Sequence, residues 1–277
     1  MSNYWQSRFE EQQILMYELT YDKTQKELAR YYTSSLKDIK NDITKLYAYL
    51  LENAADGHIT PNDLYRYDRY FQTMDQINGR LMALGHKEVK VLNKRMLEMW
   101  DKAREELVKY GPSVFKQVVA DPSLAQAVID SVWCADGKHW SERVFQHKAQ
   151  LQEALQQGLM DCVAQGADVD KLTRTIRDKA QVGWHNAQRI ARTELSHVQI
   201  QSNLNLYSQA GFDYYKFLSM DDGKTCKDGE EKCEDISHLN GGIYSILEAQ
   251  TGVNLPPIHP NCRCSIIPIM KGVNDNV

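Results

Sequence analysis

Proline is absent from this chain before Pro61, and glycine before Gly57. The two residues least compatible with a helix interior are thus missing from its opening stretch. Between Trp5 and Leu51 that stretch is rich in Glu, Lys, Gln, Leu and Tyr, which predicts one long helix or a helical hairpin. Asp56-Gly57 marks a turn. Thr60 then reads as an N-cap before Pro61 at the first helical position, with Asp63 near the positive helix end. A further helix is predicted from about Lys87 to Tyr110, ended by Gly111-Pro112, and another from Ser141 as N-cap to a close at Gly166. Asp168 is placed to cap a short helix, Gly183 to separate it from the next, and Gly211 to end a helix running from about Trp184 to Ala210.

Beyond Gly211 the apolar period shortens. Phe212 to Leu218 is aromatic-rich, Cys262 to Ile269 is Ile-rich and bounded by prolines, and Ile243-Tyr244 is a weaker third segment; all three read as strands. The fold class is therefore α+β, a long helical N-terminal half followed by a compact C-terminal domain of helices plus a small antiparallel sheet. The expected partition is 1–132 and 133–277. Apolar residues make up 42% and charged residues 25% of the 277, which excludes wholesale disorder. No run approaches the ~18 apolar residues of a membrane span, and the opening Met1-Ser2-Asn3-Tyr4 has no secretory pattern. The expectation is no membrane partner, and residence where the chain is made.

The net charge of −4 gives no global pull toward nucleic acid. Between Asp221 and Asp235 lie seven acids against Lys224, Lys227 and Lys232, so one acidic loop accounts for that charge. Lys87, Lys90, Lys94 and Arg95 form a local basic stripe, diluted by Glu88, Glu98 and Asp101, and read as a solvated face.

Four of the six cysteines, Cys226, Cys233, Cys262 and Cys264, gather in the last fifth. Cys262 and Cys264 are two apart, so an extended backbone turns both thiols to one face, and Pro260-Asn261 can turn the chain to bring His259 beside them. With Cys226 and Cys233 these residues make a candidate sulfur-rich structural zinc site. Buried free thiols and disulfides remain the alternatives at this stage. A second polar set lies on the Trp184 helix, where Arg189, Arg192, Glu194 and His185 read as internal packing or, alternatively, as a dinucleotide site.

The run Ile190-Ala191-Arg192-Thr193-Glu194, then Gly211, then Asp222-Gly223-Lys224-Thr225-Cys226, Leu239-Asn240-Gly241 and Pro256-Pro257-Ile258-His259-Pro260-Asn261-Cys262-Arg263-Cys264 resembles the phage Mu F-like minor head protein family. That family includes minor head proteins of tailed phages of Gram-positive bacteria. The resemblance covers about Trp133 to Ile267 and singles out Arg192, Thr193, Glu194, Gly211, Gly241, Pro257, Pro260, Asn261 and Arg263 as structural motif residues. The family commonly carries a C-x2-C pair where Cys226 and Cys233 are separated by six residues here.

What the resemblance implies is a structural, non-enzymatic protein of the phage head, bound to the portal during procapsid assembly and supporting DNA packaging or ejection. The implied partners are the portal, scaffolding and major capsid proteins and, without sequence preference, double-stranded DNA. The implied location is the virion, with the host cytoplasm during assembly. Some relatives carry a toxin or enzyme domain after the motif; 13 residues follow Cys264, so none is expected here. The other classes are an ADP-ribosyltransferase-like enzyme working through Arg192 and Glu194, a zinc-dependent hydrolase at the cysteines, and a non-specific DNA-binding protein.

Overall fold

The computed structural model describes residues 3–54, 59–66, 68–119, 121–219 and 233–269. In chain order the elements are α1 (Asn3–Glu52), α2 (Pro61–Arg66), α3 (Asp68–Tyr110), a 3-10 turn, α4 (Pro122–Ile129), α5 (Trp140–Ala164), α6 (Val169–Gln209), β1 (Tyr214–Leu218), α7 (Cys233–His238), β2 (Ile243–Ser245) and β3 (Ser265–Ile269). The first half is helical as its composition predicts, and α1 is a single helix rather than a hairpin. The acidic loop around Cys226 lies outside the described residues.

The chain packs as two compact units, each assembled from separated stretches. One comprises Gln25–Val91 and Trp140–Gln188 and is wholly helical where described. Its core is built from apolar stripes at helical spacing: Ile39, Ile43, Leu46 and Leu50 on α1, Tyr70, Ile77 and Leu81 on α3, Leu151, Leu155 and Leu159 on α5, and Leu172 and Ile176 on α6. Each buried Leu or Ile contributes ~1.5–3 kcal/mol relative to exposure. The 60–63 cap forms as read, with the Thr60 N–H donating to the Asp63 carboxylate at 2.8 Å.

Several details differ from the sequence reading: α3 starts at Asp68 rather than about Lys87, and α5 starts at Trp140, so that Ser141 lies inside it rather than capping it. Gly183 does not separate helices but sits inside the 41-residue α6. A Cβ there would lie 2.8 Å from Leu151 Cδ2, so close approach to α5 offsets the ~1 kcal/mol that glycine costs a helix. Glu88, read as part of a solvated face, is buried. Its carboxylate accepts from Tyr32 Oη at 2.7 Å and from Lys148 Nζ at 2.6 Å, and Lys148 is itself 2% exposed and bonded to the Tyr32 hydroxyl. Burial, and then the neighbouring Glu88 charge, push the Tyr32 phenol well above its ordinary pKa, so it remains a donor.

The other unit comprises Met1–Thr24, Leu92–His139 and Arg189–Val277 and carries the sheet. Its strands run in the order β2-β1-β3, all antiparallel, with Tyr215 opposite Tyr244 and Lys216 opposite Ile267. Along β1 burial alternates, Tyr215 and Phe217 facing inward. The three predicted strands are present, but β3 starts at Ser265 rather than Cys262. Asn261 at φ +63 and the bond from Cys262 N–H to the His259 carbonyl hold the preceding residues in a turn, off the ladder.

Phe115, Tyr207, Phe212, Tyr215, Ile266 and Ile267 form the core beneath the sheet. α6 enters it through a Schellman end. Gly211, at φ +82, donates its N–H to Ser208 O, Phe212 N–H reaches Tyr207 O at 3.0 Å, and the Phe212 ring packs near that of Tyr207. The sequence reading of Gly211 as a helix end holds.

Lys148→Met leaves Glu88 buried without its counter-charge, and the expected cost is ~3–5 kcal/mol in denaturant unfolding of the full chain. Combining it with Glu88→Leu is expected to restore most of that loss.

Candidate metal centre

In the sheet-bearing unit the cysteines come together because three local structures fix their backbones. Cys233 opens α7, and α7 is held to the sheet by Tyr244 Oη donating to the Ile236 carbonyl at 2.7 Å. Gly242, at φ +74, lies so near the Ser237 carbonyl that a Cβ would sit 2.6 Å from it. Beside it, Gly241 at φ +65 also holds a left-handed conformation. Phe217, an inward residue of β1, packs with Cys233, Ile258, Cys262 and Cys264 as a small buried cluster.

The second element is the turn from His259 to Cys262. The left-handed Asn261 lets it close, and Pro257 before it is buried. The turn is tied to α6, since Asn261 N–H donates to Thr193 Oγ1 at 3.1 Å while the Thr193 hydroxyl donates to Arg189 O at 2.8 Å. The sequence motif around Arg192–Glu194 and the one around His259–Cys264 are thus parts of one construction. The third element is the approach to β3, which carries Arg263, half-buried, between Cys262 and Cys264 in sequence.

The Cys233 and Cys262 sulfurs stand 3.9 Å apart, and with a His259 ring nitrogen their donor atoms all lie within 4.8 Å of one another. Cys264 packs in the same buried cluster as Cys233 and Cys262. Cys233, Cys262 and Cys264 are buried and His259 is half-buried. The neighbouring thiols of Cys233 and then Cys264 favour the anion at Cys262 and push its pKa down. Cys264, beside Cys233 and Cys262 in that shared cluster, is pushed up. The fourth cysteine of the sequence reading, Cys226, lies outside the described residues.

His259 Nδ1 is 2.9 Å from the Pro260 carbonyl. A carbonyl oxygen only accepts, so Nδ1 carries the proton and Nε2 presents its lone pair.

Of the polar set on α6, Arg192 and Glu194 are committed to packing, whereas His185 and Arg189 are exposed. The Arg192 guanidinium carbon lies 4.5 Å from the Tyr21 ring centre, and the Arg192 carbonyl accepts from Tyr17 Oη at 2.8 Å. Glu194 is buried and accepts from Trp133 Nε1 at 3.0 Å. His185 is exposed and meets Gln188 at 3.2 Å.

Sequence reasoning did not single out His197, one turn beyond Glu194, which stacks on Trp133 with ring centres 4.4 Å apart. Its spacing of three from Glu194 on the buried stripe was the available signal. Burial lowers the His197 pKa from 6.5 to about 3, so the folded chain holds it neutral.

The unfolded chain takes up that proton below pH 6.5 and the folded chain only near pH 3. The His197 contribution is therefore fully present above pH 6.5 and is lost as pH falls toward 3, at about 1.4 kcal/mol per pH unit. His197→Phe, which keeps an aromatic face for Trp133, is expected to flatten that part of a stability–pH profile measured by denaturant unfolding.

Compared with known proteins, residues 151–267 match the family described as phage Mu protein F like protein. Over 288 aligned positions, covering 98% of this chain, the sequence is 23% identical to a protein of Enterococcus faecalis named NAD(+)–arginine ADP-ribosyltransferase EFV. The chain spans about half of that relative's length, 56%. No solved structure matches the chain.

Proposed function

We propose, from the match of residues 151–267 to the family described as phage Mu protein F like protein, that this chain is a minor head protein that joins the portal during procapsid assembly. The observation that carries the reading is the family match itself, which spans most of α5, all of α6, the three strands and the thiol cluster up to Ile267. The structure adds support in kind: the polar residues at the motif positions are spent on internal contacts. Thr193 holds the His259–Cys262 turn, Glu194 holds Trp133, and Arg192 covers Tyr21. In this role the chain resides in the virion near the portal and assists DNA packaging or ejection. Scaffolding and major capsid proteins are its further neighbours during assembly in the host cytoplasm, and contact with double-stranded DNA is sequence-independent.

The named similarity to an ADP-ribosyltransferase favours a second reading, in which this chain itself transfers ADP-ribose from NAD to arginine. We give it less weight, because Arg192 and Glu194 face aromatic partners.

Co-expression with the portal protein of the same phage or prophage, followed by affinity purification and size-exclusion chromatography, is expected to give one co-eluting complex. Clean separation, repeated with scaffold and major capsid protein present, rejects the head-assembly reading. The transferase reading predicts NAD-dependent modification of arginine by the purified chain, and the expected result is no modification. Binding to duplex DNA that falls steeply with salt, with no portal complex, favours the nucleic-acid alternative.

A further inference from the structure

We infer that Cys233, His259, Cys262 and Cys264 bind one zinc ion as a closed, four-coordinate structural site. The inference goes beyond the head-protein reading and does not rest on it, because side-chain geometry alone carries it.

The first argument is distance. Two thiolates at about 2.3 Å from a tetrahedral zinc stand about 3.8 Å apart. The Cys233 and Cys262 sulfurs are 3.9 Å apart. A disulfide needs about 2.05 Å, so this spacing is that of two ligands of one ion rather than of a bonded pair.

The second argument is the histidine. A zinc-bound imidazole gives its other ring N–H to a carbonyl or carboxylate, which fixes the tautomer and aims the free nitrogen at the ion. His259 does this within the turn, Nδ1 giving its proton to Pro260 O at 2.9 Å, which leaves Nε2 as the donor. Its neighbour Asn261 is anchored by Thr193 Oγ1 on α6, so the ring is carried on a backbone that is itself held.

The third argument is the donor count. Cys233, His259 and Cys262 supply three converging donors, and the inference assigns the fourth position to Cys264, two residues on from Cys262 and buried in the same cluster, rather than to Cys226. With that fourth ligand the coordination shell is full, which makes the site structural rather than hydrolytic. The ion would join α7 to the approach of β3, two segments 29 residues apart at Cys233 and Cys262.

The test uses the full chain, purified under reducing conditions without chelator. Metal analysis is expected to give one zinc per chain. Stripping with chelator is expected to lower the melting temperature, and added zinc to restore it. Cobalt added to the stripped chain is expected to give the intense visible absorption of a tetrahedral thiolate site. His259→Gln and Cys264→Ser are each expected to weaken zinc binding in chelator competition by more than the ~10-fold that loss of an outer-shell partner costs. Cys226→Ser is expected to bind as the unaltered chain does.

A reduced chain that takes up neither zinc nor cobalt overturns the inference, as does a Cys233–Cys262 disulfide in protein isolated without reductant. Loss of zinc on Cys226→Ser with retention on Cys264→Ser overturns the ligand set. Reconstitution of the unaltered chain keeps the test decisive where a variant fails to fold, and neither outcome alters the portal-binding result.

Discussion

A helix buried on almost every side that still carries Thr193, Glu194, Ser196, His197, Gln199, Ser202 and Asn203 has to find internal partners for them, and that demand organises the sheet-bearing unit. From Ile190 to Asn203, α6 is inside the unit, so each of its polar groups must be met by protein. Gln199 donates to the Gln13 carbonyl, Asn203 to the Gln13 side chain, and Ser202 to Trp100 O. Thr193 accepts from Asn261 and Glu194 from Trp133. The start of α1, the end of α3, the loop at Trp133 and the turn before β3 are thereby each tied to particular positions on α6. A satisfied neutral hydrogen bond contributes only ~0.5–1.5 kcal/mol, but a buried group left unpaired costs ~1–3 kcal/mol. The network therefore acts mainly by excluding other arrangements of the same segments.

His197 shows the rule's cost. Among the described residues neither of its buried ring nitrogens has a hydrogen-bond partner, and the ring is accommodated instead by stacking on Trp133. The chain holds it neutral, and the stability so obtained is available only while the surroundings are not acidic. The thiol cluster sits at the far end of the same logic. Its histidine and one of its cysteines stand at the two ends of a turn whose geometry depends on Thr193, so the positions of the donors descend from the α6 network.

Much of this was legible in the sequence, for identifiable reasons. The helical first half followed from the lack of Pro and Gly before Gly57, the strands from the change of period after Gly211, and the cluster from the spacing of His259, Cys262 and Cys264. Three things were not legible. Gly183 looks like a break because propensity is local, whereas its use is a contact with Leu151, 32 residues away in sequence. Glu88 looks solvated because its sequence neighbours are charged, whereas its partners Tyr32 and Lys148 lie 56 and 60 residues away. The packing units are each assembled from separated stretches of the chain, which local sequence patterns do not register.

The buried Tyr32–Glu88–Lys148 group in the helical unit supplies what the apolar stripes there lack. Ile39, Ile43, Leu46 and Leu50 repeat at spacings of four and three, and a stripe of that kind packs nearly as well after slipping by one heptad. A slip would re-bury leucine and isoleucine at little cost. A slip of α3, whose Ile77 and Leu81 share that core, would also strand Glu88 about two helical turns, or ~10 Å, from Lys148 on α5 and Tyr32 on α1. Removing one partner of a buried pair costs ~3–5 kcal/mol, which exceeds what any single leucine returns. The ion pair adds little net stability compared with a well-packed apolar alternative, yet it selects one register among several that the hydrophobic pattern allows. In both units, then, buried polar groups choose among arrangements that apolar burial alone would leave nearly equal.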